Sequence, residues 1–460
     1  MSNFIRNRQF YRNLLTISVP IALQNLLVQA NSIMDTIMIG KADASGVLLS
    51  SCSLANQPFF VLTMVCFGLS GGASVLNSQY FGKGDFQSIH TVMSMVLKVA
   101  AVIGAFFGGM AVFFPEFVMG LYSNQGIVIQ NGAAYLRIVG CAYLFFAVGN
   151  TLLCMLRGIE IVKISVLVNG LSFVTNVFFN YALIFGHFGF PALGLKGAAI
   201  ATLIARLLEF AIIFIYVFFF DRKLALRLKH LLLFHKTLAR DLLSYGTPVL
   251  VNEMMWAVAI SFQASILGHI TYAAGDPVAA NTITGIVQQL VSVVIFGVST
   301  AAAVMVGKAI GENDHAEARR RAYTLKILSF ALGVVSCIVI LLIKPLVLGL
   351  YDLPEATIQL TNQLVNVIAV NTIFVSVSSV SIVGILRGAG DTRFCLLAEI
   401  ICLWGIAIPI AFLLARFGFP VPVVLFFMKI DEVIKSIACL FRLKRGTWLK
   451  SLTREFAGRA

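Results

Sequence analysis

Long apolar runs separated by short polar breaks set the pattern of this chain. Runs near 14–40, 46–80, 88–114, 128–156, 161–186 and 197–220 are each long enough for a helix to cross a bilayer, which takes about 20 residues. A polar, basic stretch from Asp221 to Arg240 interrupts them, and six more runs follow near 242–270, 277–308, 322–350, 358–386, 394–417 and 420–441. The pattern predicts an all-α integral membrane protein of twelve transmembrane helices with both termini on one side. The first run is not apolar all round. On a 3.6-residue period Gln24, Val28, Asn31 and Asp35 share one face, with Asn25, Gln29, Ser32 and Thr36 on the adjacent stripe. An unsatisfied polar group in hydrocarbon costs several kcal/mol, so this face is expected to line a protein interior or a water-filled cavity.

The two sets of six runs repeat one another at an offset of about 229 residues. Ser18-Val19-Pro20 matches Gly246-Thr247-Pro248. Gly68, Ser70, Ala73, Val75, Gly82 and Asp85 match Gly297, Ser299, Ala302, Val304, Gly311 and Asp314, and Leu156-Arg157-Gly158 matches Leu386-Arg387-Gly388. Six spans per repeat give both halves the same membrane orientation, so the expected architecture is two pseudo-symmetric six-helix lobes with a substrate path between them. The expected divisions are an N-lobe over 1–220, a basic cytoplasmic linker over 221–240 and a C-lobe with its tail over 241–460.

Composition agrees with a membrane protein, since only 12% of the 460 residues are charged against roughly 25% in soluble domains. A net charge of +14 raises the question of nucleic acid. Sorting the 34 Lys and Arg by side answers it: 25 fall in segments on the side of the N-terminus, four on the other side and five inside spans. The excess charge follows the positive-inside rule, which places both termini in the cytoplasm of a bacterial inner (plasma) membrane and leaves nucleic-acid binding without support. The eight cysteines form no Cys-x-x-Cys pair and read as small buried hydrophobes.

Acids within spans are few: Asp35, Glu209, Glu253, Glu399, Asp431 and Glu432. Asp431 and Lys435 stand at i,i+4 and Arg206 and Glu209 at i,i+3, spacings that predict structural pairs on single helices. Glu253 has no basic residue within a turn and lies about nine residues, roughly 14 Å, in from Ser244, close to the midplane. Such a carboxylate suits a site that takes protons, metal ions or cationic substrates. Asp35 lies about five residues, roughly 8 Å, from the outer end of its helix. Asn176, Asn180 and Thr202 add amide and hydroxyl oxygens of the kind that Na⁺ accepts. Pro20 removes a backbone hydrogen bond from the first helix and gives it a place to bend. Nucleotide-binding loops, zinc-protease motifs and nucleophile–base pairs are absent as placed motifs, so neither an enzyme nor a cofactor beyond a coupling ion is expected.

The chain resembles the multidrug and toxic compound extrusion (MATE) family of antiporters over essentially its whole length. The residues that carry the likeness are Pro20, Met34-Asp35-Thr36 and Gly40, Leu156-Arg157-Gly158, Asn176 through Asn180-Tyr181 to Ile184-Phe185-Gly186, and Gly197 through Thr202. Leu386-Arg387-Gly388, Gly390-Asp391-Thr392 and Arg445-Gly446-Thr447-Trp448 complete the set. The resemblance implies export of amphipathic, often cationic, small organic compounds in exchange for Na⁺ or H⁺, by a protein expected to act as a monomer in the bilayer. It also implies an N-lobe cation site that falls here on Asp35, Asn176, Asn180 and Thr202, with Tyr135 nearby. Asn180 stands where many members carry a second acid, and Ser376 where some carry an acid in the tenth span, which would leave Glu253 as the main C-lobe acid. A lipid-linked oligosaccharide flippase of the same superfamily is the alternative; its anionic cargo would call for a cavity rich in Arg and Lys.

Overall fold

The computed structural model describes residues 4–43, 46–270, 273, 275–349 and 354–454. Among them the secondary structure is entirely helical. The spans are α1 (Arg8–Ala42), α2 (Val47–Lys83), α3 (Phe86–Phe113), α4 (Gly126–Arg157), α5 (Lys163–Phe185) and α6 (Leu195–Phe220), followed by α7 (Lys236–Gly268), α8 (Pro277–Gly311), α9 (His315–Leu348), α10 (Glu355–Leu386) and α11 (Thr392–Arg416). These are eleven helices long and apolar enough to cross a membrane. The expected twelfth is present in two pieces, α12 (Val421–Met428) and α13 (Ile430–Arg445), which meet at Lys429. Neither piece alone is long enough to span.

Local chemistry sets several of the ends. Asp276 caps α8 by accepting from the backbone N–H groups of Val278 (2.8 Å) and Ala279 (3.1 Å), with Pro277 at the first helical position where its missing N–H costs nothing. Asp314 does the same for α9 through Glu317 N–H at 2.8 Å. Pro20 and Pro248, matched in the two repeats, sit inside α1 and α7. Large apolar side chains such as Val102 (69%), Phe106 (64%) and Leu342 (71%) are exposed, which is the surface that lipid rather than water solvates.

By compactness the chain forms two units. One comprises Met1–Ala22, Ser74–Asp85 and Ser244–Ala460, the other Leu23–Ala73 and Phe86–Leu243. This departs from a division at 220 and 241, because the first half of α1 and the end of α2 belong with the C-terminal helices. The boundary crosses α1 two residues beyond Pro20 and crosses α2 just after Gly71-Gly72-Ala73. The packing inside the first unit explains the membership of α2. A Cβ on Gly82 would fall on the carbonyl oxygen of Lys308 in α8, and a Cβ on Gly311 would fall on that of Gln79 in α2. The two glycines match in the repeat, and each lets the other's helix approach to backbone contact.

The C-terminal segment is tied to the same place. Gln79 donates through Nε2 to the carbonyls of Gly388 (3.3 Å) and Lys450 (3.2 Å) and accepts from the Leu452 N–H (2.8 Å). Asp391, only 1% exposed, accepts from Lys450 Nζ at 2.6 Å and Arg442 Nε at 2.8 Å. The linker, in the second unit, is docked rather than free. Leu224 and Leu226 are buried, and the Ser94 hydroxyl sits between the carbonyls of Leu231 and Leu233 at 2.7 and 2.9 Å.

Candidate functional site

In the second unit, α1 and α5 bring three of the predicted residues together. Asn176 and Asn180, one turn apart on α5, are fully buried. The Nδ2 of Asn180 donates to Asp35 Oδ1 at 2.5 Å and to Asn176 Oδ1 at 2.7 Å, so both hydrogens of one amide bridge the carboxylate and the neighbouring amide. The acceptors dictate this orientation: turned over, Asn180 would set three oxygens against one another, which only a cation or a proton between them could make favourable. Asn180 Oδ1 and Asn176 Nδ2 are buried without a partner. Tyr135 on α4 is buried, with its hydroxyl 3.5 Å from Asn56 Oδ1 and with Thr202, Cys52 and Asp35 within interaction range. Thus Asp35, Asn176 and Asn180 form a directly bonded group, and Thr202 meets it by way of Tyr135.

Next to this group is a small, partly open cavity lined by Leu27, Val28, Asn31, Asn169, Ser172, Phe173 and Arg206. Gln24 and Asn31 each bury a side-chain oxygen with no partner. Hence the face of α1 read from its period does line an interior. Ser32 and Thr36 on the adjacent stripe are exposed, and Thr36 satisfies its hydroxyl on the Ser32 carbonyl at 2.9 Å. Arg206 is the residue that helical spacing undervalued. It does pair with Glu209 at 2.8 Å, yet its guanidinium also lies over the rings of Phe59 and Phe146, 5.3 and 5.0 Å from their centroids, and it faces the cavity. Asn169, Ser172, Asn176 and Asn180 fall at three- and four-residue steps along α5, a polar face that the period could have shown.

The MatE family model matches the chain twice, over residues 20–182 and 250–413. The chain belongs to the MatE family. A protein of Thermotoga maritima called probable multidrug resistance protein NorM is 26% identical over 450 residues, covering 96% of this chain and 95% of that protein. One of the same name from Bradyrhizobium diazoefficiens is 30% identical over 418 residues, covering 87% and 86%. Two solved structures share the fold: a MOP superfamily transporter from Pyrococcus furiosus, with a TM-score of 0.84, 18% identity and coverage of 97% of this chain and 99% of that one, and the Vibrio cholerae MATE transporter VcmN in its bent form, with 0.83, 15%, 95% and 97%.

The first MatE copy holds Asp35, Asn176 and Asn180; the second begins just before Glu253. There the expectation of an unpaired carboxylate is overturned. Glu253 Oε1 accepts from Arg387 Nη1 at 2.6 Å, and the other arm of the same guanidinium, Nη2, donates to Asn252 Oδ1. Arg387, sorted by sequence among the inner surface cations, is buried at the end of α10, as is its repeat partner Arg157 at the end of α4. A residue 134 positions away supplies the counter-charge, so a search within one helical turn could not find it. Ser376 donates to the Ser329 carbonyl at 2.7 Å and so binds α10 to α9.

Proposed function

We propose that this protein exports amphipathic organic cations across the bacterial inner membrane in exchange for protons, with Asp35 as the coupling carboxylate. The observation that carries the reading is the bonded group of Asp35, Asn180 and Asn176 beside a polar cavity in the first MatE copy. Its support from relatives is that several are named multidrug resistance proteins. The proton is favoured over Na⁺ by the donor set. Asn180 already directs N–H at both oxygens that a metal ion would need, and one carboxylate leaves little charge to repay the dehydration of Na⁺. A proton on Asp35 needs no more than one hydrogen bond to be rearranged.

Charge placed on a buried carboxylate is costly and its neutralisation is favourable, so occupancy of Asp35 can bias which arrangement of the protein is preferred. Pro20 supplies a place for α1 to bend just before the stretch that carries the polar face. Both termini and the 221–240 linker are assigned to the cytoplasm on the asymmetry of Lys and Arg.

The test is transport of a cationic dye in everted membrane vesicles, with pH and Na⁺ gradients imposed separately. An acid-inside pH gradient should drive uphill dye accumulation in the vesicle lumen, and a Na⁺ gradient alone should not. Asp35→Asn should insert normally and lose accumulation. Continued concentration of dye by the purified Asn variant would remove Asp35 from the coupling step.

A further inference from the structure

The C-terminal helices bury a second group of charges that the reading above does not use. Lys435 Nζ, on α13, lies 2.7 Å from Glu432 Oε1, 2.9 Å from Asp431 Oδ2 and 3.3 Å from Glu399 Oε2 of α11. Three carboxylates therefore share one ammonium and stand within about 6 Å of one another through it. The i,i+4 spacing predicted a simple structural pair. The structure adds Glu432 and Glu399, and Glu399 is 4% exposed with its other oxygen, Oε1, lacking any partner. A carboxylate oxygen left bare in a buried site calls for a hydrogen. The Ser378 hydroxyl of α10 donates to Glu432 Oε2.

Charge accounting agrees. Lys429, bonded to Gln263 Oε1 at 2.8 Å, is the second cation in electrostatic reach of Asp431 and Glu432. Arg387 also reaches Glu399 but is matched by Glu253. Three carboxylates against Lys435 and Lys429 leave one negative charge over, which a single proton removes. The remaining titratable groups that face the cluster are the thiols of Cys402 and Cys439, with Cys395 beside Cys439.

Each helix that contributes also departs from α geometry at the contributing residue. Glu399 directly precedes a π-helical stretch, Ile400–Ala407; Ser378 stands two residues before another, Val380–Leu386; and the break at Lys429 puts Asp431 and Glu432 in the first turn of α13. π segments and broken membrane helices concentrate at working sites, and a helix N-terminus favours the negative form of the carboxylates placed there. The geometry points to a proton-binding site of its own, shared by Glu399, Asp431 and Glu432 around Lys435. The stretch Val380–Leu386 runs from Ser378 at this cluster to Arg387 at Glu253, so gain or loss of that proton has a direct mechanical route to the Glu253–Arg387 pair.

Infrared spectroscopy of the full-length protein in lipid nanodiscs, with carboxyl-labelled glutamate, is the test. A protonated-carboxyl carbonyl band should be present at neutral pH, shift with the label and titrate away at alkaline pH. It should persist in Asp35→Asn and be lost or displaced in Glu399→Gln and Glu432→Gln, whose amides imitate the protonated acid and preserve the neutral cluster. A wild-type spectrum with no label-sensitive protonated-carboxyl band at neutral pH, which requires no variant to fold, would overturn the proposal. So would a band that is unchanged in both Gln variants and in Asp431→Asn. Because the readout is independent of transport, a failure here leaves the assignment of Asp35 standing, and a failure of that assignment leaves this one.

Discussion

Glu253 shows most clearly what a single residue owes to its surroundings. Its carboxylate and the Asn252 amide hold a guanidinium that is itself buried, so deleting the charge on Glu253 strands Arg387. Breaking one side of a buried ion pair costs about 3–5 kcal/mol, whereas replacing both sides with apolar groups is often neutral. Glu253→Gln should therefore lower the thermal unfolding midpoint in detergent and reduce the amount of protein in the membrane, and Glu253→Gln with Arg387→Met should recover most of both. An unchanged midpoint in the single variant would mean that the pair is not holding the second MatE copy together. Asp35 is legible in the sequence because it lies on the polar face of its own helix, whereas Asn176 and Asn180 join it only through the resemblance to a known family. The partner of Glu253 and Glu399 of the Lys435 cluster were illegible for the opposite reason, since they reach across from other helices.

At the scale of helices, eleven spans among the described residues follow directly from the length of apolar runs, and the twelfth run is present as two pieces that meet at Lys429. Periodicity cannot register a π-helical turn, which changes hydrogen bonding and leaves composition as it was; Val380–Leu386 and Ile400–Ala407 are invisible in the sequence. Repeat matching did better, for it singled out Gly82 and Gly311 before any contact was known. Gly311→Ala should push α8 off the Gln79 carbonyl and lower stability by about 1–3 kcal/mol, the usual cost of overpacking, measurable as an earlier thermal transition. A transition at the wild-type temperature would mean that α2 and α8 can separate without penalty. Pro20→Ala restores a backbone hydrogen bond to α1, so the expected result is slower dye efflux at equal or higher thermal stability. Wild-type efflux kinetics would take the hinge away from Pro20.

For the molecule as a whole, duplication was read from an offset of about 229 residues, and the MatE model matches both copies, but the compact units cut across the halves because packing at Gly82 and Gly311 outweighs chain order. The linker that joins the copies, a polar, basic stretch in the sequence, is held down in the structure. His230 stacks on His90 of α3, with ring centroids 4.3 Å apart, and its Nδ1 accepts the Arg227 N–H at 3.1 Å. His90 Nε2 is 2.7 Å from the Leu224 carbonyl, to which it donates. Burial, and then the positive groups His90, Lys229 and Arg227, hold His230 below the ordinary histidine value of 6.5. Lys98 is the further cation on α3 that meets this stretch, at the Leu233 carbonyl. A proton on Nδ1 would take away the acceptor for Arg227 and set a cation against the His90 ring. The sign follows: docking is complete above the ordinary value and is lost as pH falls through the depressed one. Hydrogen exchange of the amides in 224–233 should be slow at neutral pH and accelerate as pH is lowered below the ordinary histidine value, after correction for the intrinsic rate. In His230→Phe, which keeps a ring on His90 but has no titrating nitrogen, the acid-induced rise should disappear. Equal pH dependence in the Phe variant and the wild type would show that the histidine pair does not govern the linker.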